Sequence, residues 1–170
     1  MRRLSFAGMV VFVATVSLAA PLAAQSSGKA RTAKPSDTSF AAMQQRGKQA
    51  MGVDQYTSTH KFDSFPDGGR IELQRDGNDS AGVAAIRAHI RDIAKAFRSG
   101  DFSTPEFVHM HTVPGTKEMA ALRSEITYTV HDLPRGAELH ISTGDKDALT
   151  AIHAFMAYQR GEHHAGGMHP

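Results

Sequence analysis

Histidine is the residue type with the most chemical potential in this chain of 170 residues, which contains ten histidines and no cysteine. Because cysteine is absent, the sequence excludes disulfides, thiolate metal sites, iron–sulfur clusters, covalently attached c-type haem and a cysteine nucleophile. A neutral imidazole is the commonest metal ligand in proteins, and it also transfers protons near neutral pH. The chemistry open to this protein therefore depends on which of the ten side chains the fold brings inside.

Three histidines occupy positions that the local periodicity predicts to face the interior. His60 lies two residues from a phenylalanine in an alternating segment, so both side chains share the buried face of a strand. His89 lies within the apolar stripe of a long helical segment, and His153 has the same place on a second helical segment. The alternation of the other strand segments places His131 and His140 on the solvent side.

Two further histidines, His109 and His163, are predicted to join this group. His109 begins a His-Met-His triplet, and the apolar residues 107–108 before it favour an inward His109 and a solvated His111. An extended triplet would instead send both of its histidines to one side. His163 continues the inner face of the last helix, provided that the helix persists past Gly161.

The sequence thus predicts a metal site that uses His60, His89, His109, His153 and His163. Each of these residues alone has a structural alternative, a buried imidazole with a satisfied ring hydrogen bond. Burying an imidazole without a partner costs on the order of 1–3 kcal/mol, so several such residues on separate elements favour a shared compensating ion.

Thioether side chains near these histidines favour copper, particularly Cu(I), although imidazole also suits zinc and iron. Met110, Met156 and Met168 supply such thioethers, but the helical spacing of Met156 is more typical of core filling. The histidine-rich tail that ends at residue 170 either collects metal weakly or is simply a solvated end. Noncovalent haem held by two histidines is an alternative cofactor, because it requires no cysteine.

Three classes of function remain open on this evidence. The first is an exported metal-binding protein, and the second is a metal-dependent redox or hydrolytic enzyme that uses Glu125, Asp132 or Glu162 for proton transfer. The third is a metal-free ligand-binding or interaction module whose imidazoles form a polar core network or sense acid. The sequence shows no nucleophile elbow, phosphate-binding loop or zincin signature, so an enzyme is less favoured than a metal-binding protein.

The elements that must position these histidines follow from two kinds of periodicity. Alternating segments on either side of the turns at 66–69 and 133–136 predict two β-hairpins. Helical spacing predicts one long helix that ends at Gly100 and a last helix capped by Thr143 or Asp145. Less regular stretches predict a small helix near the start of the domain, an extended or irregular segment over 102–114 and a short helix after it. The order strand, strand, helix, repeated, predicts an α+β two-layer sandwich: a four-stranded antiparallel sheet of two β-hairpins with two main helices on one face.

The chain ends carry targeting rather than folding information. Residues 1–24 predict a cleavable signal peptide, 25–38 a flexible tether, 39–164 a single domain and 165–170 a flexible tail. We therefore expect a periplasmic or secreted protein with no stable membrane insertion after cleavage, exported by either the general or the twin-arginine route. Without residues 1–24 the chain holds 17 basic and 17 acidic side chains, so no nucleic-acid partner is expected. The sequence leaves protein partners open.

Several short motifs resemble a widespread family of small bacterial proteins, many of them exported, whose function is not established. The motifs span about residues 51–164 and include MGVDQ at 51–55, THKF at 59–62, IRAH at 86–89, VH at 108–109, PRG at 134–136 and AIHAF at 151–155. Some members of that family carry an aspartate carbamoyltransferase label, but this chain is too short for that two-domain enzyme and lacks its phosphate-binding pattern. The resemblance implies export and covers four of the five selected histidines, but it implies no established chemistry.

Overall fold

Residues 40–164 are described by the structure, which is a computed structural model; the predicted signal peptide, tether and tail lie outside this range. The described residues form five helices, four strands and two 3-10 turns. In chain order these are α1 Phe40–Met51, a turn Gln55–Thr57, β1 Ser58–Phe65, β2 Gly68–Arg75, α2 Ser80–Arg98, α3 Ser103–His109, α4 Thr116–Ala121, a turn Arg123–Glu125, β3 Ile126–Leu133, β4 Gly136–Thr143 and α5 Lys146–Glu162.

The two hairpins join through their second strands to form one antiparallel sheet in the order β1-β2-β4-β3. Glycines at the two ends of the β2–β4 seam let the strands approach closely. A Cβ on Gly68 would lie 1.9 Å from the carbonyl oxygen of Ile141, and one on Gly136 would lie 1.9 Å from that of Leu73. Any side chain at either position would therefore force the two hairpins apart.

Both long helices pack on one face of the sheet, which confirms the predicted α+β two-layer sandwich. α2 lies mainly across β3 and β4, and α5 lies mainly across β1 and β2. Each helix starts at an aspartate cap: Asp79 accepts a bond from the backbone of Gly82, and Asp145 accepts bonds from Asp147 and Ala148. The core between the layers contains the fully buried side chains of Ile86, Ile90, Phe97, Leu139, Ile141, Ile152, Phe155 and Met156.

The opposite face of the sheet carries charged side chains that pair with one another. The Arg70 guanidinium lies 2.6 Å from the Asp63 carboxylate, 3.6 Å from Glu72 and 3.4 Å from Glu138, and Lys61 lies 3.2 Å from Glu72. The inner face of the sheet is therefore apolar and the outer face charged, as the alternating pattern predicts.

The prediction of an extended or irregular segment over 102–114 is wrong in its first half, because α3 occupies Ser103–His109. Pro105 lies in the first turn of α3, where the backbone nitrogen needs no intrahelical partner, so the proline does not break the helix. The side chain of Asp101 accepts a bond from the Ser103 backbone at 2.8 Å and stabilises the start. The helix ends at Met110, which has a left-handed backbone with φ of 61°.

None of the helices within the described part of the chain is long and apolar enough to cross a membrane.

Candidate functional site

Four of the five histidines selected from the sequence line one cavity of ≈ 80 Å³ between the sheet and helices α1, α2, α3 and α5. They are His60 on β1, His89 on α2, His109 at the end of α3 and His163 directly after α5. The remaining lining residues are Gly47, Ala50, Met51, Phe62, Ile71, Leu73, Ile90, Ile93, Phe97, Thr104, Pro105, Val108, Phe155 and Gln159. The imidazoles thus lie among apolar walls, and no acidic side chain belongs to this lining.

His109 is held by a buried glutamine. Its Nε2 lies 3.1 Å from Oε1 of Gln159, and both side chains are buried. Because an amide oxygen only accepts hydrogen bonds, Nε2 must carry the ring proton and donate it to Gln159. The other nitrogen, Nδ1, then bears a lone pair, and it makes no hydrogen bond within residues 40–164.

His163 is held in the same way by Gln55. Its Nδ1 donates to Oε1 of Gln55 at 3.2 Å, and the amide of Gln55 donates back to the His163 carbonyl oxygen at 3.4 Å. The lone pair of His163 is therefore on Nε2. A second partner that fixes the tautomer of an imidazole is the usual companion of a metal-ligating histidine.

Two pairs of rings in the cavity, which share His163, have separations that suit two ligands of one ion. The ring centroids of His109 and His163 lie 5.2 Å apart at an interplanar angle of 90°, and those of His60 and His163 lie 6.2 Å apart. Imidazole nitrogens bound at about 2 Å from a shared ion place their ring centroids roughly 4.5–6.5 Å apart. Both separations fall within that range.

His60 contacts a thioether rather than an amide. Its Nε2 lies 3.3 Å from the Sδ atom of Met51, the last residue of α1, and its Nδ1 is buried without a hydrogen-bond partner among residues 40–164. Nitrogen and sulfur ligands of one ion are separated by roughly 3–4.5 Å. The His60–Met51 pair therefore already has the spacing of two soft donors, and it leaves one ring nitrogen uncompensated.

Burial keeps these imidazoles neutral near pH 7. Desolvation lowers the pKa of His60 to about 4, with smaller contributions from the Ser58 backbone, which raises the pKa, and from His89, which lowers it. Desolvation also lowers the pKa of His163 to about 3, with additional contributions from His109 and His60. The pKa values of His89 and His109 are lowered as well, again mainly by burial. All four residues are thus in the protonation state that a metal ligand requires.

His153 does not belong to the cavity, contrary to the sequence-based expectation. Its Nε2 donates to the carbonyl oxygen of Phe65 at 2.8 Å, and the ring is half-buried. The buried side of α5 contains Ala148, Ala151, Ile152, Phe155, Met156 and Gln159. That stripe is rotated away from the predicted one, so His153 lies on its flank and bonds to the end of β1. His131 and His140, by contrast, lie on the charged outer face of the sheet as predicted.

The site also contains residues that the sequence-based interpretation missed. Gln159 lies three residues after Met156 and four before His163, so helical spacing alone places it on the buried face and was a usable signal. Met51 ends α1 and lies in the motif at 51–55, but the sequence-based prediction of the site does not include it. Gln55 lies in a 3-10 turn, and no periodic pattern identifies it.

As the described part of the chain stands, no three histidine, aspartate or glutamate side chains converge closely enough to hold a metal ion. Comparison of the sequence and structure with protein-family models, curated proteins and solved structures found no match. The resemblance to a family of exported bacterial proteins therefore stays a prediction.

Proposed function

We propose that this protein binds one soft transition-metal ion, most favourably Cu(I), in the histidine-lined cavity. The observation that carries the proposal is the pair His109 and His163, each of which has one ring nitrogen fixed by a glutamine oxygen and one left with its lone pair. Met51 and His60 supply the neighbouring sulfur and nitrogen donors. His89 lines the same cavity and is its fourth imidazole.

The chemistry of the lining favours Cu(I) over zinc or iron. A thioether is a soft donor that suits Cu(I), whereas zinc sites in proteins usually complete a tetrahedron with thiolate, imidazole or carboxylate groups. The lining offers no carboxylate to neutralise a divalent ion, and burying uncompensated charge among apolar side chains is costly. A monovalent ion that accepts a low coordination number meets both constraints.

The size of the cavity favours an ion over haem. Its volume of ≈ 80 Å³ is far below the volume of roughly 300–1,000 Å³ that is typical of pockets for organic ligands. None of the acidic residues considered for proton transfer, Glu125, Asp132 and Glu162, lines the cavity, which favours carriage over turnover. With the expected export, the proposed role is that of a periplasmic or secreted copper-binding protein.

The test is an anaerobic competition titration of the purified, tag-free chain against a coloured Cu(I) chelator. The wild-type protein is expected to take up one equivalent with high affinity. The double variant His109→Gln and His163→Gln is expected to lose this uptake, whereas the matched control His131→Gln and His140→Gln is expected to keep it. Both variants retain the histidine-rich tail, so uptake by the tail would survive equally in the two.

Changes to the supporting glutamines test the same site without removing a ligand. Gln55→Leu and Gln159→Leu are each expected to weaken Cu(I) binding by about 10–100-fold. Each change removes the acceptor that fixes the tautomer and the orientation of the histidine ring. Far-ultraviolet circular dichroism shows whether each variant is folded. Undiminished Cu(I) uptake by the folded double variant His109→Gln and His163→Gln would contradict the proposal.

A further inference from the structure

The His-Met-His triplet passes from the cavity to the protein surface within three residues. His109 is 5% exposed and lines the cavity, whereas Met110 is 54% exposed and His111 is also exposed. The left-handed backbone at Met110 produces this reversal, since it ends α3 and turns the chain outward. A methionine in that conformation is unusual, because glycine or asparagine adopts it with less strain. The triplet therefore places the soft thioether of Met110 on the surface, next in sequence to the buried His109.

His111 is also held in one tautomer. Its Nδ1 lies 3.0 Å from the carbonyl oxygen of Thr112, which can only accept, so Nδ1 carries the proton. The lone pair on Nε2 accepts a bond from the hydroxyl group of Tyr158 at 2.8 Å. The ring of Tyr158 in turn contacts His109, with centroids 5.1 Å apart. The exposed imidazole thus has a basic nitrogen that is covered by one displaceable hydroxyl group.

Ring contacts connect this surface pair to the interior in a continuous series. The centroid separations are 6.2 Å from His111 to His109, 5.2 Å from His109 to His163 and 6.2 Å from His163 to His60. Each separation falls within the range of roughly 4.5–6.5 Å that two imidazoles sharing one ion adopt. An ion can therefore pass along the series while it is always bound to at least one ring.

We infer that Met110 and His111 form a loading point at which Cu(I) is first captured, and that His109 transfers the ion to the cavity. This inference rests on the proposed copper-binding function. The Sδ atom of Met110 and Nε2 of His111 bind the ion as the Tyr158 hydroxyl, which keeps its proton, moves away. A bond from Cu(I) to His109 forms as the bond to Met110 breaks, and bonds to His163 and His60 then form as the bond to His111 breaks. The steps are ligand exchanges in which copper keeps its oxidation state and no proton is released.

Stopped-flow transfer from a Cu(I)–bicinchoninate complex to the full-length protein tests this inference. Met110→Leu keeps the shape of the side chain but removes the sulfur, and His111→Gln removes the lone pair. Each variant is expected to slow transfer by about tenfold, the scale on which a single lost contact affects a metal site. The equilibrium affinity of the cavity is expected to stay unchanged. Tyr158→Phe is expected to accelerate transfer because it uncovers Nε2, and the control His131→Gln is expected to behave as wild type.

The two proposals fail in different ways in this experiment. Wild-type transfer rates in both Met110→Leu and His111→Gln would overturn the loading point while leaving copper binding intact. A loss of affinity equal to the loss of rate would also overturn it, because these residues would then be ligands of the final site. Absence of Cu(I) uptake by the wild-type protein at equilibrium would instead overturn the proposed function.

Discussion

The two nitrogens of an imidazole ring have separate partners in this protein, and that difference separates structural from ligand-like histidines. His153 uses Nε2 to donate to a backbone carbonyl oxygen on the flank of α5, away from the cavity. His109 and His163 line the cavity, and each donates to a glutamine oxygen and keeps a lone pair on its other ring nitrogen. His60 differs again, because one nitrogen meets sulfur and the other is buried without a partner. Burial alone does not separate structural from ligand-like histidines, whereas the group that each ring nitrogen contacts does.

The lowered pKa values of His60 and His163 predict that stability falls in acid. Burial lowers the pKa of His60 from 6.5 to about 4, so between these values the unfolded chain takes up a proton that the folded protein does not. The free energy of unfolding therefore decreases as the pH falls from about 6.5 to 4, by up to about 3 kcal/mol for His60. His163 extends the same loss toward pH 3. Urea unfolding of the metal-free protein at a series of pH values measures the slope.

Histidine variants show which side chains cause the pH dependence of the free energy of unfolding. His60→Leu is expected to reduce the slope between pH 6.5 and 4 by the share of one titrating group, whatever its effect on stability at pH 7, while His163 keeps its own share. His131→Asn, on the outer sheet face, is expected to keep the wild-type slope. A metal chelator is present throughout, since bound copper would also be released in acid. An unchanged slope in His60→Leu would show that His60 is not kept neutral by burial.

At the scale of the elements, side chains of the two long helices bond to main-chain oxygens of the outer strands. On α5, Arg160 donates to the carbonyl oxygen of Phe62 at 2.6 Å, and His153 donates to that of Phe65 at 2.8 Å. On α2, Arg98 donates to the carbonyl oxygen of Tyr128. Exposed strand edges invite pairing with other chains, and covering their polar groups prevents it. The helices thus bury the inner sheet face and also occupy acceptors on β1 and β3.

This arrangement predicts that His153 and Arg160 contribute to stability and not to copper binding. His153→Ala and Arg160→Met are each expected to lower the free energy of unfolding by about 1–2 kcal/mol, because each leaves a strand carbonyl oxygen without its donor. Lys95→Met, an exposed change on α2, is expected to have a much smaller effect. Urea unfolding measures the stability, and the chelator competition measures Cu(I) affinity. A loss of copper affinity in His153→Ala would return that residue to the site.

The helix and strand patterns predict the sheet, both hairpins and both long helices, because one face of each is continuously apolar. They also place His60 and His89 correctly, since their neighbours define the buried face without ambiguity. The error at His153 arose because the small residues Ala148 and Ala151 fill the centre of the buried stripe, and small side chains carry little weight in an apolar pattern. Gln55 was out of reach, because its contact with His163 joins residues 108 positions apart through a turn with no periodicity.

At the scale of the whole molecule, the site joins elements that are far apart in the sequence. Met51 ends α1, His60 belongs to β1, His109 ends α3 and His163 follows α5. α1 and α3 are short helices that pack against each other, and Arg46 on α1 donates to the carbonyl oxygen of Val108 at 2.7 Å. Helices of this length gain most of their stability from tertiary contacts. An ion bound by these residues would therefore connect the two short helices to the sheet.

Copper binding is accordingly expected to stabilise the protein as a whole and its short helices in particular. At a free Cu(I) concentration of about a thousand times the Kd, binding to the folded state alone adds about 4 kcal/mol to the free energy of unfolding. Amide hydrogen exchange, followed by mass spectrometry under anaerobic conditions, is expected to slow most in α1, in α3 and at the end of α5. β3 and β4 contribute no residue to the cavity lining, so their local exchange is expected to change least. The double variant His109→Gln and His163→Gln is expected to show neither effect, because the elements would no longer share a ligand. Equal slowing across β3, β4 and the short helices would contradict this expectation, since it would place the ion elsewhere or make its effect purely global.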